Sequence, residues 1–345
     1  MLFDLKPKER VRDFFNYKEE LNSLVNYLKD RTTRLVVLRG LRRTGKSSLL
    51  RVALNRTGLK YVLIDARELT SLSRRAFESK LFEKLKGLRG IPATLLDRIE
   101  SVEVGVRISV KREESLWGLL KEIKPIIAVD EVQMLGGAGV DAFLAAVFDN
   151  TECKIVLTGS EVGILESFLG KDNPKAPLFG RAYKEIKTYP LSHEKAKEFL
   201  RAGFRQAGKE IREEEVDAAI SELDGIIGWL TIFGNLSLST KPALALRRAG
   251  EEGALLAYSE LHSFLDRRAQ AKGRYLALLR ILARKSARWS ELKRAVQIEL
   301  KEEISDSQFT DYLHGLVDYG FIVKEGGLYI IPDPLLRKAL MEKRA

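Results

Sequence analysis

The sequence predicts an α/β fold in which a parallel sheet has helices on both faces, followed by an all-α lid domain and a winged helix-turn-helix domain. Three observations support this prediction. Short apolar segments alternate with helical segments through residues 1–190, as they do in parallel sheets with crossover helices. Residues 191–268 have helical periodicity throughout. The pattern of residues 269–345 predicts three helices and a β-hairpin. The predicted domains are therefore residues 1–190, 191–268 and 269–345.

Four segments of the first domain are rich in β-branched and aliphatic residues and are predicted to be strands. They cover residues 34–40, 60–67, 124–131 and 153–160. Three segments with apolar side chains at helical spacing are predicted to be helices. They cover residues 13–30, 72–88 and 142–150. Residues 101–111 alternate strictly between apolar and polar side chains from Val102 to Val110, which predicts a further half-exposed strand or hairpin.

The lid and the terminal domain have recognisable boundaries. Ser192 is the predicted N-cap of the first lid helix, because a serine side chain at this position accepts a hydrogen bond from the first turn. In the terminal domain the predicted helices cover residues 274–284, 289–297 and 305–319. The segment FIVKEGGLYII follows them and predicts a hairpin that turns at Gly326-Gly327. This order of elements is that of a winged helix-turn-helix.

Composition restricts the classes of function. The single cysteine, Cys153, excludes an internal disulfide framework and a cysteine-based zinc site, and three scattered histidines argue against a catalytic metal cage. The N-terminus lacks the apolar run of a secretory signal, and no stretch approaches the roughly 20 apolar residues that span a bilayer. We therefore expect a cytoplasmic protein without a membrane partner. The net charge of +11 lies mostly in residues 1–190, so it favours a nucleic-acid partner only weakly.

A glycine-rich segment between the first strand and the following helix has the clearest chemical meaning. Gly40–Ser48, with the sequence GLRRTGKSS, satisfies the Walker A or P-loop pattern GxxxxGK[ST]. Its glycines let backbone N–H groups turn toward the β- and γ-phosphates of ATP, Lys46 adds positive charge there, and the Ser47 hydroxyl is a ligand for Mg²⁺. The predicted nucleotide-binding residues of this segment are Gly40, Arg42, Arg43, Thr44, Gly45, Lys46, Ser47 and Ser48.

An acidic pair ends the third predicted strand, as in a Walker B motif. Residues 126–131, IIAVDE, are an apolar run that ends in Asp130 and Glu131. We predict that Asp130 orients Mg²⁺ and that Glu131 polarises an attacking water; the alternative for Asp130 is to cap the next helix. Many P-loop kinases lack the second carboxylate, so Glu131 favours hydrolysis of ATP to ADP and phosphate over transfer to a small acceptor. Gln133 either helps to place the water or is a polar surface residue.

Two further positions are candidates for contact with the γ-phosphate. Thr158-Gly159-Ser160 ends the fourth predicted strand, where the Ser160 hydroxyl can hydrogen-bond the γ-phosphate or the water; an ordinary turn is the alternative. Arg181 supplies a cation that can meet the γ-phosphate, and a surface role is its alternative. The predicted catalytic residues are therefore Lys46, Asp130, Glu131 and Arg181.

With these motifs in this order, the chain resembles the archaeal-type P-loop ATPases of the STAND/AAA-related group over nearly its whole length. The marks of the resemblance are FNYKEEL, GLRRTGKSSLL, IIAVDEVQ, LTGS, PLFGRAYKEIKTYPLS, the all-α segment and a winged helix that closes with DPLLRKAL. The resemblance implies a nucleotide-dependent switch. Asn16-Tyr17 stands where the group usually has an arginine, and the lid's Gly-Gly-x-Pro is replaced by residues 225–230, GIIGWL. Phe15 and Tyr17 either stack near adenine or belong to the core.

The terminal domain leaves two interpretations open. Its third helix, within residues 305–320, contains Asp306, Asp311 and Asp318 but no lysine or arginine, which is unfavourable beside DNA phosphates. Basic residues of the earlier helices could instead contact a DNA backbone: Arg284, Lys285, Arg288, Lys293 and Arg294. The sequence therefore predicts either an ATP-hydrolysing switch that docks an unidentified protein partner, or an ATP-regulated DNA-binding protein of the origin-recognition or transposon-helper type.

Overall fold

The predicted α/β fold is confirmed: the protein is built on a five-stranded parallel sheet. The computed structural model describes residues 1–89, 108–160, 162–170 and 173–342. The strands are β1 (Leu35–Gly40), β2 (Tyr61–Asp65), β3 (Ile126–Asp130), β4 (Lys154–Gly159) and β5 (Lys184–Thr188). Their order is β2-β3-β4-β1-β5, and every neighbouring pair is parallel. Strand β5 was not predicted, because three of its five residues are charged and it pairs with β1 alone at the sheet edge.

Helices cover both faces of the sheet. They are α1 (Lys18–Lys29), α2 (Lys46–Thr57), α3 (Arg74–Lys86), α4 (Ile108–Ile123), α5 (Val140–Asn150) and α6 (Val162–Leu169). One apolar core lies between the sheet and α1 and α2, and the other lies between the sheet and α3, α4 and α5. Alternate residues of β1 enter opposite cores, with Leu35 and Val37 on one face and Val36 and Leu38 on the other, as the two-residue period of a strand requires.

The predicted strand at residues 101–111 is wrong where the structure describes this segment. Residues 101–107 lie outside the described part of the chain, but Ile108 and Val110 belong to α4. The physical reason is the sequence that follows: Leu116, Leu119 and Leu120 recur at helical spacing and are buried against the sheet. This apolar stripe favours a helix over Ile108–Ile123, so the alternation does not determine the structure of residues 108–111.

The remainder of the chain is helical and ends in a winged helix. The lid helices are α7 (His193–Gln206), α8 (Glu213–Leu223), α9 (Ile227–Ser237) and α10 (Pro242–Asp266). The elements that follow are α11 (Lys272–Arg284), β6 (Ala287–Arg288), α12 (Trp289–Leu300), α13 (Asp306–Asp318), β7 (Val323–Glu325), β8 (Leu328–Ile330) and α14 (Pro334–Glu342). Ser192 caps α7 by accepting a hydrogen bond from the backbone of Lys195, as predicted. No helix in the described ranges is both long and apolar enough to cross a membrane.

The lid and the winged helix share one apolar core. Trp229 of α9 and Leu335 of α14 are both buried in it, and both approach Gly253 of α10. A Cβ atom at Gly253 would lie 2.2 Å from the Cδ1 atom of Leu335, so glycine allows these helices to pack closely. The two regions are therefore joined by continuous packing.

The N-terminal segment crosses from the sheet to the lid. Phe3 is 1% exposed and inserts into the lid core between Gly203 and Gly234, where added Cβ atoms would lie 2.2 and 2.3 Å from its ring. Its carbonyl accepts a hydrogen bond from Asn235 Nδ2 at 3.0 Å. Five residues later, the backbone N–H of Lys8 donates to Ser48 Oγ in α2 at 3.0 Å. This segment therefore ties the lid to the P-loop helix.

Removal of the Phe3 side chain should destabilise the protein. We expect Phe3→Ala to lower the free energy of unfolding by about 3 kcal/mol, because the two glycines leave a cavity that neighbouring side chains cannot fill. Urea denaturation measures this change. Leu5→Ala is the matched control, since Leu5 is 62% exposed in the same segment and should change stability by less than about 0.5 kcal/mol. Equal stability of the two variants would contradict the anchoring role of Phe3.

Candidate active site

A cleft of about 710 Å³ opens at the carboxyl-terminal edge of the sheet. This is where parallel α/β sheets bind ligands, and the volume is in the range of small-molecule sites. Its walls include the P-loop, the N-terminal segment and helix α9. The predicted site residues that line it are Arg42, Arg43, Gly45, Lys46, Ser47, Ser48, Glu131 and Ser160. The cleft therefore brings most of the predicted residues together.

The backbone conformation of the P-loop explains two of the remaining residues. Gly40 has a φ of +154°, and a Cβ atom there would lie 2.3 Å from the carbonyl oxygen of Thr188 at the end of β5. Thr44 is fully buried; its hydroxyl donates to the carbonyl of Leu41 at 2.8 Å and lies 2.7 Å from the hydroxyl of Thr188. Gly40 and Thr44 therefore shape the loop against β5, and their contribution to the cleft is indirect.

Lys46 lies in the floor of the loop. Its Nζ donates to the carbonyls of Gly40 and Leu41 at 2.8 and 2.7 Å. Burial lowers the pKa of Lys46 to about 8, although the charges of Glu131 and Asp130 act in the opposite direction. Both hydrogen-bond acceptors are neutral carbonyls, so an anionic phosphate beside Nζ would favour the charged form of the lysine.

Asp130 has the features of a metal-binding carboxylate. It is 1% exposed; Oδ1 accepts a hydrogen bond from Thr158, while Oδ2 is buried without a hydrogen-bond partner in the described structure. Burial raises the pKa of Asp130, and the nearby hydroxyls of Thr158 and Ser47 oppose this effect. An unpaired buried oxygen beside a serine hydroxyl fits Mg²⁺, which takes oxygen ligands from one or two side chains and retains several waters.

Glu131 is held by a small polar network. Its backbone is left-handed, with a φ of +55°, a conformation that is uncommon for residues other than glycine. Oε2 accepts hydrogen bonds from Gln133 Nε2 and from Ser160 Oγ, the latter at 3.2 Å, and Gln133 Nε2 lies 3.3 Å from Ser160 Oγ. Gln133 is only 8% exposed, so its interpretation as a surface residue is wrong. Ser160 and Gln133 orient the carboxylate of Glu131.

The two P-loop arginines contact the lid, and one of them also contacts the winged helix. The carboxylate of Glu260 in α10 lies 2.5 Å from Arg43 Nη2 and 3.5 Å from Arg42 Nε. The guanidinium of Arg43 stacks 4.1 Å from the ring centroid of Trp229 in α9. Arg42 Nη1 donates to the carbonyl of Tyr319, directly after α13, at 2.8 Å. We call these contacts the arginine clamp; they join the P-loop to the lid and to the winged helix.

Arg181 does not reach the cleft of its own chain. Its guanidinium forms an ion pair with Asp149 in the last turn of α5 and donates to the carbonyl of Pro177. Helix α5 connects the carboxyl end of β3 to the start of β4. Its last turn therefore lies at the amino-terminal end of the strands, away from the cleft. There Arg34, directly before β1, donates to the carbonyl of Phe148. A contact between Arg181 and a γ-phosphate in this chain is therefore not supported by the structure.

Phe15 and Tyr17 are packed in the core and also line the cleft. Both line the cleft, but Phe15 also packs edge-on against Phe199 of the lid, with ring centroids 5.4 Å apart. Tyr17 is 5% exposed, and its hydroxyl donates to the carbonyl of Tyr189. These aromatic residues are core side chains with an edge at the cleft.

Sequence reasoning missed three residues of this site. Asp65 is the last residue of β2 and pairs in register with Asp130, so the signal that identified Asp130, an acid at the end of a buried strand, would also have identified Asp65. Arg67 lines the cleft beside it. No sequence pattern identified Glu260 as a site residue, because a glutamate within a helix is usually a solvated surface residue.

Comparisons with known proteins agree with this architecture. Residues 14–232 match the model of an ATPase domain predominantly from Archaea, and residues 269–330 match the model of the MCM protein C-terminal winged helix-turn-helix domain. The Walker-type ATPase PABY2304 of Pyrococcus abyssi is 32% identical, with a TM-score of 0.81 over 99% of each chain. The Aeropyrum pernix ORC2 protein, solved as ADPNP-ADP complexes, is 16% identical, with a TM-score of 0.62 over 99% of this chain and 95% of that one.

No curated protein is significantly similar to this chain. The ORC2 likeness shows a shared fold, and the family match supports nucleotide binding. The ATPase-domain model covers more than half of the chain, and the Pyrococcus abyssi protein is similar over its whole length. This protein therefore belongs to the family of ATPases found predominantly in Archaea.

Proposed function

We propose that the chain is a Mg²⁺-dependent ATPase that acts as a molecular switch and couples its nucleotide state to the binding of a partner. The observation that carries this proposal is the arginine clamp. The loop that would hold the phosphates also contacts Glu260 of the lid and Tyr319 of the winged helix through Arg42 and Arg43. A change at the phosphates would therefore act directly on both regions.

The residues at the loop and at β3 fit the binding of a triphosphate. Backbone N–H groups of the P-loop and the ammonium of Lys46 would bind the β- and γ-phosphates, and Lys46 would exchange its two carbonyl contacts for phosphate oxygens. Ser47 and the unpaired oxygen of Asp130 would hold Mg²⁺. When bound, this ion would neutralise negative charge on the phosphate oxygens.

Glu131 is the proposed base for hydrolysis. Its carboxylate would accept a proton from the water that attacks the γ-phosphate, while the bond to the β-phosphate oxygen breaks and ADP leaves. In the present structure Gln133 and Ser160 hold that carboxylate. If Glu131 turns toward the water, the Ser160 hydroxyl becomes available to donate to the γ-phosphate, which is the role that we assign to it.

Competition between negatively charged groups would couple the phosphate site to the lid and the winged helix. Phosphate oxygens would compete with Glu260 for the guanidinium groups of Arg42 and Arg43, and a shift of Arg42 would disturb its hydrogen bond to the carbonyl of Tyr319. The end of α13 also lies close to Ser160: a Cβ atom at Gly320 would be 3.1 Å from the Ser160 carbonyl oxygen. These contacts support a response of the winged helix to changes on both sides of the phosphate site, and we propose that the winged helix docks the partner.

Substitutions at the two central residues should separate binding from turnover. We expect Lys46→Ala to abolish measurable ATP binding, whereas Glu131→Gln should retain binding and lower turnover by about 10²-fold or more, because the general base is lost. Calorimetry measures ATP binding, and phosphate release measures turnover. Lys195→Ala and Glu198→Gln remove an exposed ion pair on α7 and serve as controls. Unchanged turnover in both site variants would refute the proposed site.

Loss of charge at Glu260 should loosen the arginine clamp. We expect Glu260→Gln to increase ATP affinity about tenfold, a typical coupling energy between sites, and to accelerate hydrogen exchange in residues 306–320. Calorimetry and exchange mass spectrometry measure these effects. Glu251→Gln is the control on the same helix, since its partner is the exposed Arg247. The coupling proposal fails if the Glu260 and Glu251 variants have the same ATP affinity and the same exchange rates.

The alternative is an ATP-regulated DNA-binding protein of the origin-recognition or transposon-helper type. Four exposed cations of the winged helix favour it, because none forms an ion pair with another described residue: Arg284, Lys285, Arg288 and Arg294. Lys293, by contrast, pairs with Asp306. The acidic helix α13 counts against this alternative, since its last turns pack against α6 and its first turns carry Asp306 and Asp311.

Duplex binding distinguishes the two functions. The DNA-binding alternative predicts an affinity that falls steeply between about 50 and 200 mM salt, that depends on ATP, and that is lost when the four cations are replaced by glutamate. Fluorescence anisotropy with a labelled duplex measures it. Absence of binding at low salt with and without ATP would exclude this alternative and leave protein docking as the role of the winged helix.

A further inference from the structure

The cleft contains a cation that the Walker motifs do not explain. Arg67 lies in a single 3-10 turn, Ala66–Glu68, directly after β2. It lines the cleft together with Lys46 and Glu131, and its side chain is 54% exposed. An arginine exposed in a cleft of this kind is available to an anionic ligand.

Asp65 holds the guanidinium of Arg67 in one orientation. Nε donates to Oδ1 at 2.8 Å and Nη2 donates to Oδ2 at 2.6 Å. The carboxylate therefore binds one edge of the guanidinium in a bidentate manner. Oδ1 also accepts a hydrogen bond from the backbone N–H of Arg67 at 3.0 Å, and Asp65 is only 7% exposed. The other terminal nitrogen, Nη1, has no hydrogen-bond partner among the described residues. The buried acid therefore fixes the cation and leaves one edge of it open.

The register of the sheet brings this edge to the side of the cleft where hydrolysis would occur. Asp65 of β2 is paired with Asp130 of β3, so the two strands end together. The pKa of Arg67 is raised, first by its hydrogen bonds to Asp65 and further by the charges of Asp65, Glu131 and Asp130, although burial opposes this. Arg67 therefore lies within the electrostatic range of both Walker B acids.

We propose that Arg67 is a catalytic residue that donates from Nη1 to the γ-phosphate as negative charge develops there, and that Asp65 is its positioning residue. This inference rests on the proposed ATPase function. Water oxygen forms the new bond to phosphorus, ADP leaves with the electron pair of the broken bond, and the proton goes to Glu131. Arg67 exchanges no proton. Because its orientation is preset, little reorganisation is needed at the moment of reaction.

The other arginines near the site are less suited to this role. Arg42 and Arg43 are held by Glu260 on the lid side, and Arg181 is paired with Asp149 away from the cleft. Of the described arginines that line the cleft, Arg42, Arg43 and Arg67, Arg67 is the one that follows β2, beside the Walker B strand.

Turnover and binding measured separately test this role. We expect Arg67→Ala to lower kcat by about 10²-fold, as for the loss of one preset donor, with ATP affinity changed by less than about threefold. The variant should also fail to retain ADP with aluminium fluoride, which mimics the transferred phosphoryl group. Arg67→Lys should restore little, because an ammonium cannot bind Asp65 on one side and phosphate on the other in a fixed plane. Retained ATP affinity verifies that the variants are folded.

The Asp65→Asn variant tests whether the ion pair positions Arg67 for the γ-phosphate or holds it away. If Asp65 positions Arg67, kcat falls in this variant; if Asp65 holds Arg67 away from the phosphate, kcat rises and the inference is overturned. Arg247→Ala removes an exposed ion-paired arginine on α10 and is the control. If the Arg67→Ala variant has the same turnover as the wild type, this inference alone is overturned. Absence of turnover in the wild type would overturn the proposed function, and this inference with it.

Discussion

The parallel pairing of the strands in register is the constraint on which the rest of the structure depends. Because β1 lies between β4 and β5, and β3 lies between β2 and β4, segments that are distant in sequence end at one edge of the sheet. The P-loop, the Walker B acids, Ser160 and Asp65 meet there for this reason. Burial at that edge then sets their chemistry, since it lowers the pKa of Lys46 and raises that of Asp130.

The polar groups of this edge are stabilised by specific partners that also restrain them. Arg43 and Glu131 adopt left-handed backbone conformations, which cost free energy and persist only where surrounding contacts enforce them. Glu260 provides such contacts for Arg43, and Gln133 with Ser160 provides them for Glu131. Strained residues and an unpaired carboxylate oxygen are expected where a ligand would complete the set of interactions.

The shared core of the lid and the winged helix limits how the proposed switch can move. Buried side chains of both regions form one cluster, and Phe3 of the N-terminal segment belongs to the same cluster. Separation of the lid from the winged helix would expose this apolar surface, so a movement of both as one body costs less. The arginine clamp and the N-terminal segment are the contacts that such a movement would alter first.

The amino-acid sequence by itself determined the strands β1 to β4, the P-loop, the Walker B acids and the winged helix, because each depends on a local pattern of apolar residues, glycines or acids. Strand β5 and helix α4 were decided by tertiary context: one is a charged edge strand, and the other packs its apolar stripe on the sheet. The arginine clamp and the fork between Asp65 and Arg67 also required the folded chain. Glu260 is 217 residues from Arg43, and no local pattern reports a contact between charged side chains that only the packing of separate elements creates.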